Sequence, residues 1–419
     1  MVEPKDFEIT KFIGNGCYST IYDAVSTNER DRGAKYALKR IFILNASALI
    51  RAIQEQRTLI HISMEPDRSP FLTTLYYSFR VHRSPVLVMT KGSGVDLCDL
   101  LFEYGCLEIS EAQFYICEVI CGLEYLHSKE IIHLDIKPEN ILLADTGHIL
   151  ITDFDSSYDR YRRLRVPLFK DDPGTPLYMA PEVAKKVAIS SKADVWSMAV
   201  LMAAMISGPI RELAPIYTDD YKLAEKGEWC IKVFDSLEPS LQFFFCCCLQ
   251  VNFEVRPSIE EVKDLSFFSD IKWDEVAARK MQPPYQPSDL EISKDKVKFK
   301  FNPRDPLILQ SAFGEGMPVI WRTPQYILRK DRKRSLVTLF SNYERLDETG
   351  VPLRKIEKCF TNFDFIHADF VDAEIKSWLN ISPPAAQSAD ASGTAKRELE
   401  EAETSSRPDN KRPRVPTDP

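Results

Sequence analysis

From Phe7 to Val25 apolar and polar residues alternate, with a break at Gly14-Asn15-Gly16. A period of two puts alternate side chains on opposite faces, so this stretch predicts two strands joined by a glycine turn. An apolar run, Tyr36-Ala37-Leu38, ends in Lys39 and predicts a third strand. Residues 46–60 predict a helix, and Leu72–Phe79 and Pro85–Met89 predict two more strands before a Gly92-Ser93-Gly94 turn. From Glu111 to Ser128 the spacing changes to that of a helix, with Phe114, Val119, Leu123 and Leu126 on its apolar side. Ile141-Leu142-Leu143 and Ile149-Leu150-Ile151 predict short strands, Asp194-Val195-Trp196-Ser197 opens a buried helix, and the run Phe243–Cys248 predicts a core helix.

Composition narrows the class. With 419 residues the chain is long enough for two or three domains, and 44% hydrophobic residues suffice for a core. The 54 basic and 62 acidic residues leave a net charge of −8, the wrong sign for nucleic-acid binding, so no nucleic-acid partner is expected. The ten cysteines lack paired metal spacing and predict reduced thiols in a cytoplasmic protein. Neither a secretory signal nor a membrane span is expected.

Chemistry concentrates in His133-Leu134-Asp135-Ile136-Lys137-Pro138-Glu139-Asn140. Asp135 can accept a proton from a hydroxyl, Lys137 can neutralise a transferring phosphate, and Asn140 can hold a metal ion. Upstream, Ile13-Gly14-Asn15-Gly16-Cys17-Tyr18-Ser19-Thr20-Ile21 fits a loop whose amides fold over phosphates, or an ordinary hairpin turn. A lysine in a buried strand is costly unless paired, so Lys39 either reaches solvent at a sheet edge or finds a carboxylate on the following helix. Downstream, Asp153 ends the strand at Ile149–Ile151 and is a second candidate metal ligand, because a hard cation takes oxygen donors. Gly174-Thr175-Pro176-Leu177-Tyr178-Met179-Ala180-Pro181-Glu182 follows, and Arg256 lies later in the chain.

In this order the motifs resemble a eukaryotic protein kinase. Lys137 two residues after Asp135, together with Thr175, resembles the serine/threonine type. Gly14–Ile21, Phe71–Phe79, Leu123–His133 and Phe267–Trp273 are similar to the 3-phosphoinositide-dependent kinases of the AGC group. The resemblance implies an α+β bilobal fold over residues 7–268, with a β-rich first lobe and a helical second. It implies ATP and Mg2+ as cofactors and protein substrates, AGC kinases among them. By position, Ala37 and Met89 line the adenine pocket and Asp96 meets the ribose. Lys39 and Glu55 position ATP, Asn140 and Asp153 hold magnesium, and Glu182 pairs with Arg256 in a structural role.

The departures from the family matter as much. Leu134 replaces the arginine that grips an activation-segment phosphate, and Asp171-Asp172-Pro173 stands where the subfamily carries its phosphorylated serine. A switch based on that charge-assisted pair is therefore expected to be absent. Asp155 replaces a glycine, for which a positive φ would cost roughly 1 kcal/mol. By alignment, Glu8, Gln56, Ser78 and Arg80 take the polar positions of a small-lobe groove that docks phosphorylated motifs of substrate kinases. Acidic Glu8 predicts weakened phosphopeptide docking. The rival expectation is a pseudokinase scaffold.

Residues 269–317 predict an extended linker lying partly on the kinase. Residues 318–380, with strand-like runs Gln325–Leu328, Ser335–Phe340 and Cys359–His367 and a helix at Asp372–Leu379, resemble by position a small pleckstrin-homology-like domain. There Arg329, Lys330, Arg332, Lys333 and Arg334 form either a phosphoinositide contact at a membrane surface or a solvated turn. Residues 381–419 predict a disordered tail, in which Lys411-Arg412-Pro413-Arg414 reads as a nuclear-import signal or a generic charged end.

Overall fold

The computed structural model describes residues 2–16, 18–43, 46–82, 84–160, 174–208, 220–227, 234–290, 304–310, 312–314, 360 and 363–370. All of them belong to one compact unit, Met1–Ile375.

The alternating stretch folds into β1 (Phe7–Asn15) and β2 (Ser19–Ser26), paired antiparallel across the glycine turn. β3 (Lys35–Ile41) pairs with β2 so that Lys39 lies opposite Ile21. The helix α1 (Ala46–Ser63) follows, then β4 (Leu75–Val81) and β5 (Ser84–Thr90), with β5 beside β3 and Ala37 opposite Met89. β4 starts later than the apolar run suggested. Leu72 instead bridges to Ile151, and the Thr73 N–H donates to the Ile151 carbonyl, so the two halves of that run serve different sheets.

The second lobe is helical. α2 (Leu97–Tyr104) and α3 (Ile109–Ser128) lead into β6 (Ile131–Ile132), and a β7 (Ile141–Leu143)–β8 (Ile149–Ile151) hairpin follows. β9 (Tyr158–Asp159) pairs with β6. After α4 (Pro181–Ala184), α5 (Lys192–Ser207) is buried from Ala193 to Ile206. A helix apolar on every side has to lie inside the core, and α5 forms its centre. α6 (Asp220–Lys226), α7 (Pro239–Cys248) and α8 (Ile259–Val262) complete the lobe. In α7, Phe244, Phe245 and Cys248 are buried and Phe243 is exposed, so the predicted core helix is one-sided.

Several described residues beyond 268 contact this body. α9 (Trp273–Ala277) is followed by Tyr285, whose hydroxyl donates to Glu111 at 3.0 Å. α10 (Pro306–Gln310) precedes Ala312 and Gly314, whose carbonyls accept from the buried Arg40 guanidinium at 3.1 and 2.8 Å. The strand expected within Cys359–His367 is β10 (Phe365–Ile366), but it adds antiparallel to β4 as the sixth strand of the first-lobe sheet. Phe360 and Phe363 are buried in the main core, and Phe370 stacks on Tyr77 at 5.4 Å between ring centroids. Strand periodicity says nothing about which sheet a strand joins, so these residues read equally well as part of a separate domain. The rest of 318–380, with Gln325–Leu328, Ser335–Phe340, Arg329, Lys330, Arg332, Lys333, Arg334 and Asp372–Leu379, lies outside the described residues, as does the tail 381–419. Among the described residues no helix is long and apolar enough to cross a membrane.

Candidate active site

The segment between β6 and β7 is fixed from below by a buried carboxylate. Asp194 of α5 accepts from the backbone N–H groups of His133 and Leu134, both at 2.8 Å, and contacts His127 Nε2 at 2.9 Å. Leu134 sits in the left-handed region at φ 63°, a conformation that costs an L-residue about 1–2 kcal/mol. Two hydrogen bonds to an ionised, buried acceptor offset that cost. A Cβ at Gly174, where φ is +82°, would lie 2.2 Å from the Leu134 carbonyl oxygen, so the two segments can meet only with glycine there.

The chemical groups close into a ring above this anchor. Lys137 Nζ donates to Asp135 Oδ2 at 2.7 Å and to Thr175 Oγ1 at 2.8 Å, and Thr175 Oγ1 donates to Asp135 Oδ1 at 2.9 Å. Asn140 Nδ2 donates to the Asp135 carbonyl at 2.8 Å and to its Oδ2 at 3.0 Å. With the Asn140 amide nitrogen turned to Asp135, its Oδ1 is the donor left for a cation. Burial works against the Lys137 charge, but contact with Asp135 raises its pKa above the ordinary lysine value.

A second cluster lies under the glycine turn. Lys39 Nζ donates to Glu55 Oε1 at 2.6 Å and to Asp153 Oδ1 at 2.7 Å. Burial opposes the charge of Lys39, but the Asp153 and Glu55 carboxylates outweigh it and raise its pKa. Burial pushes Glu55 up while Lys39 pulls it back. For Asp153 burial again favours the neutral form, yet Lys39 prevails and holds the carboxyl down at about 2. Asp153 has φ 69° and ψ 69°, and its Thr152 neighbour donates a backbone N–H to the Asn140 carbonyl at 3.0 Å. Asn140 and Asp153 thus supply a neutral and an anionic oxygen donor from adjoining strands, a donor set that fits a hard divalent cation. The Gly16 N–H donates to the Ser19 carbonyl at 2.9 Å, which closes the turn between β1 and β2.

Other expected residues are placed differently. Asp96, expected at the ribose, stands at the N-terminus of α2, where its Oδ1 accepts from the Asp99 N–H at 2.8 Å. Asp155 lies in the right-handed 3-10 turn Phe154–Ser156 and needs no positive φ. The left-handed residue of this segment is Asp153, two positions earlier, so the expected backbone cost of Asp155 does not arise. Gln56 Nε2 and Ser78 Oγ both donate to the Phe363 carbonyl at 2.6 Å, so the groove expected for a partner's motif holds this chain's own residues. Glu8 and Arg80 are exposed. Glu182 and Arg256 form the expected bidentate pair at 2.7 and 2.9 Å, with Arg256 over Trp196. Ile13, Gly14, Asn15, Tyr18 and Ile21 lie on or beside the β1–β2 hairpin, whereas Cys17 and Asp171 are outside the described residues.

Two residues with a clear role went unassigned in the sequence. Asp194 sits among Ala193, Val195 and Trp196, and a carboxylate in an apolar run must find donors. Arg51 precedes Glu55 by one helical turn and so shares its face.

Residues 7–268 match the protein kinase domain family. The chain is 29% identical over 315 residues to ribosomal protein S6 kinase alpha-6 of Danio rerio, covering 72% of this chain and 40% of that protein. It is 29% identical over 322 residues to the serine/threonine-protein kinase gad8 of Schizosaccharomyces pombe, with 74% and 54% covered. Against human ribosomal protein S6 kinase alpha-1 the figures are 30% over 300 residues, 68% and 39%. The chain therefore spans from 39% to 54% of the length of these relatives. It belongs to the eukaryotic protein kinase family. The relatives it matches are serine/threonine kinases by name, among them gad8, and the match to the family model over residues 7–268 is the part that places the chain.

Proposed function

We propose that this kinase transfers the γ-phosphoryl group of ATP to a serine or threonine hydroxyl of a protein substrate, and that its catalytic loop is ordered without a phosphate on the activation segment. The observation that carries the reading is the ring of Asp135, Lys137, Thr175 and Asn140 beside the Lys39–Glu55–Asp153 cluster.

Asp135 receives the substrate hydroxyl proton in the place where it accepts from Thr175. Lys137, held protonated, faces the transferring oxygens and neutralises their charge. Lys39, fixed by Glu55, contacts the phosphates nearer the nucleoside, and the β1–β2 turn covers them. Asn140 and Asp153 offer the oxygen donors for magnesium, which when bound neutralises the phosphate charge. Positioning and electrostatics supply most of the rate in phosphoryl transfer, so rigid placement of these groups is the chain's main contribution.

Support for order without phosphate is local. Asp194 holds Leu134 directly, and Leu134 offers no cation to a phosphate. Capture of other AGC kinases at the groove beside α1 is not part of this reading, because Phe363 and its neighbours occupy it. The test is magnesium-dependent transfer from labelled ATP to serine/threonine peptides by protein treated with phosphatase. Activity that survives the treatment, and is lost in Asp153→Asn, supports the reading. Activity that appears only after phosphorylation of the chain sinks the second half of it.

A further inference from the structure

The face of α1 that carries Glu55 meets residues 153–159 through a row of polar side chains. Arg51 donates from one guanidinium nitrogen to Asp155 Oδ1 at 3.3 Å and to Ser156 Oγ at 2.8 Å. Ser156 Oγ donates in turn to Asp155 Oδ1 at 2.9 Å, which closes a small triangle. Thr58 and Ser157 share a hydroxyl–hydroxyl bond at 2.9 Å, and His61 Nδ1 meets Asp159 Oδ2 at 2.8 Å. Arg51, Glu55, Thr58 and His61 are spaced four, three and three residues apart, the interval at which helical side chains share a face. The partners of Arg51, Thr58 and His61 run in the same order along residues 155–159, while Glu55 meets Lys39 of β3.

Asp155 stands where the kinase family resembled by this chain has glycine. The 3-10 turn there makes no use of a glycine's freedom, and the carboxylate points at α1. The same chain carries Leu134 where that family has its phosphate-gripping arginine. One cation–anion contact between the activation segment and the rest of the kinase is lost, and another is present that glycine cannot make.

We propose that Asp155 and Arg51 are positioning residues, and that their ion pair fixes α1, and through it Glu55 and Lys39, against the segment bearing Asp153, in the role that a phosphorylated activation segment would otherwise fill. For its kinetic consequence this rests on the proposed phosphotransfer, but its structural consequence does not. Arg51 touches no reacting atom and acts through Glu55. Thr58–Ser157 and His61–Asp159 extend the contact along the helix.

The test uses the full chain with Arg51→Met, Asp155→Asn and both together, and with Arg51→Lys and Asp155→Glu as conservative variants. Hydrogen exchange of the α1 amides is followed without nucleotide, and kcat/KM for ATP is measured with a serine/threonine peptide. Each disruptive single change is expected to speed α1 exchange about tenfold and to lower kcat/KM about tenfold, with the double change no worse than either, because neighbours in one contact are not additive. The conservative variants recover part of both. Additive losses of about a hundredfold, or α1 exchange unchanged in Asp155→Asn while only its magnesium requirement shifts, would overturn the proposal. A wild-type protein that transfers no phosphate contradicts the proposed function, and the exchange measurement then still decides the role of the pair.

Discussion

Leu134, Asp194 and Gly174 show how single positions set the reacting geometry. The leucine adopts φ 63° because two of its neighbourhood's N–H groups have one acceptor, and a glycine lets the activation segment approach its carbonyl. The Glu182–Arg256 pair is fully buried, with the Arg256 side chain 0% exposed. Removing one partner leaves an uncompensated charge in the core, so Arg256→Met is expected to cost about 3–5 kcal/mol in a urea titration, without a direct effect on nucleotide contacts. The Lys39 cluster gives a pH signature. The pKa of Asp153 is held at about 2, below the 3.8 of an ordinary aspartate, so its stabilising contribution is complete above 3.8 and is lost as the pH falls through 2. Lys39→Met removes the cause. The stability gap between wild type and Lys39→Met, measured by denaturant titration, is therefore expected to be largest near neutrality and to close as the pH approaches 2. A gap that widens in acid would contradict the assigned pairing. The structure brings Lys39, Glu55 and Asp153 together, and Asp135, Lys137 and Asn140, as their ordered motifs led one to expect, with Glu55 singled out among polar neighbours only by its register in the resemblance. The cap that Asp96 forms on α2 was not among the expectations, since that aspartate was placed by the resemblance alone.

Elements were legible where their period was strong and their partners were close in sequence. The β1–β2 hairpin, α3 and the β7–β8 hairpin follow directly from spacing and turn residues. β10 was legible as a strand but not in its place, because it pairs with β4 across almost 300 positions of chain and a period of two names no partner. Its attachment has a consequence for α1. The Phe363 carbonyl takes hydrogen bonds from Gln56 of α1 and Ser78 of β4, and the side chain is 3% exposed. Phe363→Ala is expected to destabilise by about 3–5 kcal/mol, the usual loss for an aromatic residue removed from a core. Much of that loss should fall locally, as faster hydrogen exchange in α1 and at the β4–β10 ladder. Exchange confined to β10 alone would show that α1 does not depend on this strand.

Among the described residues, one lobe carries Lys39 and Glu55 and the other the loop of Asp135, and residues after 268 brace both lobes. Tyr285 contacts Glu111, the 312–314 carbonyls hold Arg40, and 363–370 complete the sheet. The bilobal kinase fold was legible over residues 7–268, because ordered motifs constrain the chain between them. Beyond that point no motif linked composition to place, and a stretch that folds onto the kinase resembled a domain of its own. The central claim is that Asp135 is the base for phosphoryl transfer and that the surrounding ring holds it in position. It is tested by measuring kcat for transfer from magnesium-ATP to a serine/threonine peptide in wild type and Asp135→Asn, with ATP binding followed in parallel by calorimetry. The account predicts a loss of about 10²–10⁴-fold in kcat with ATP affinity retained. Equal kcat in the two proteins would contradict it.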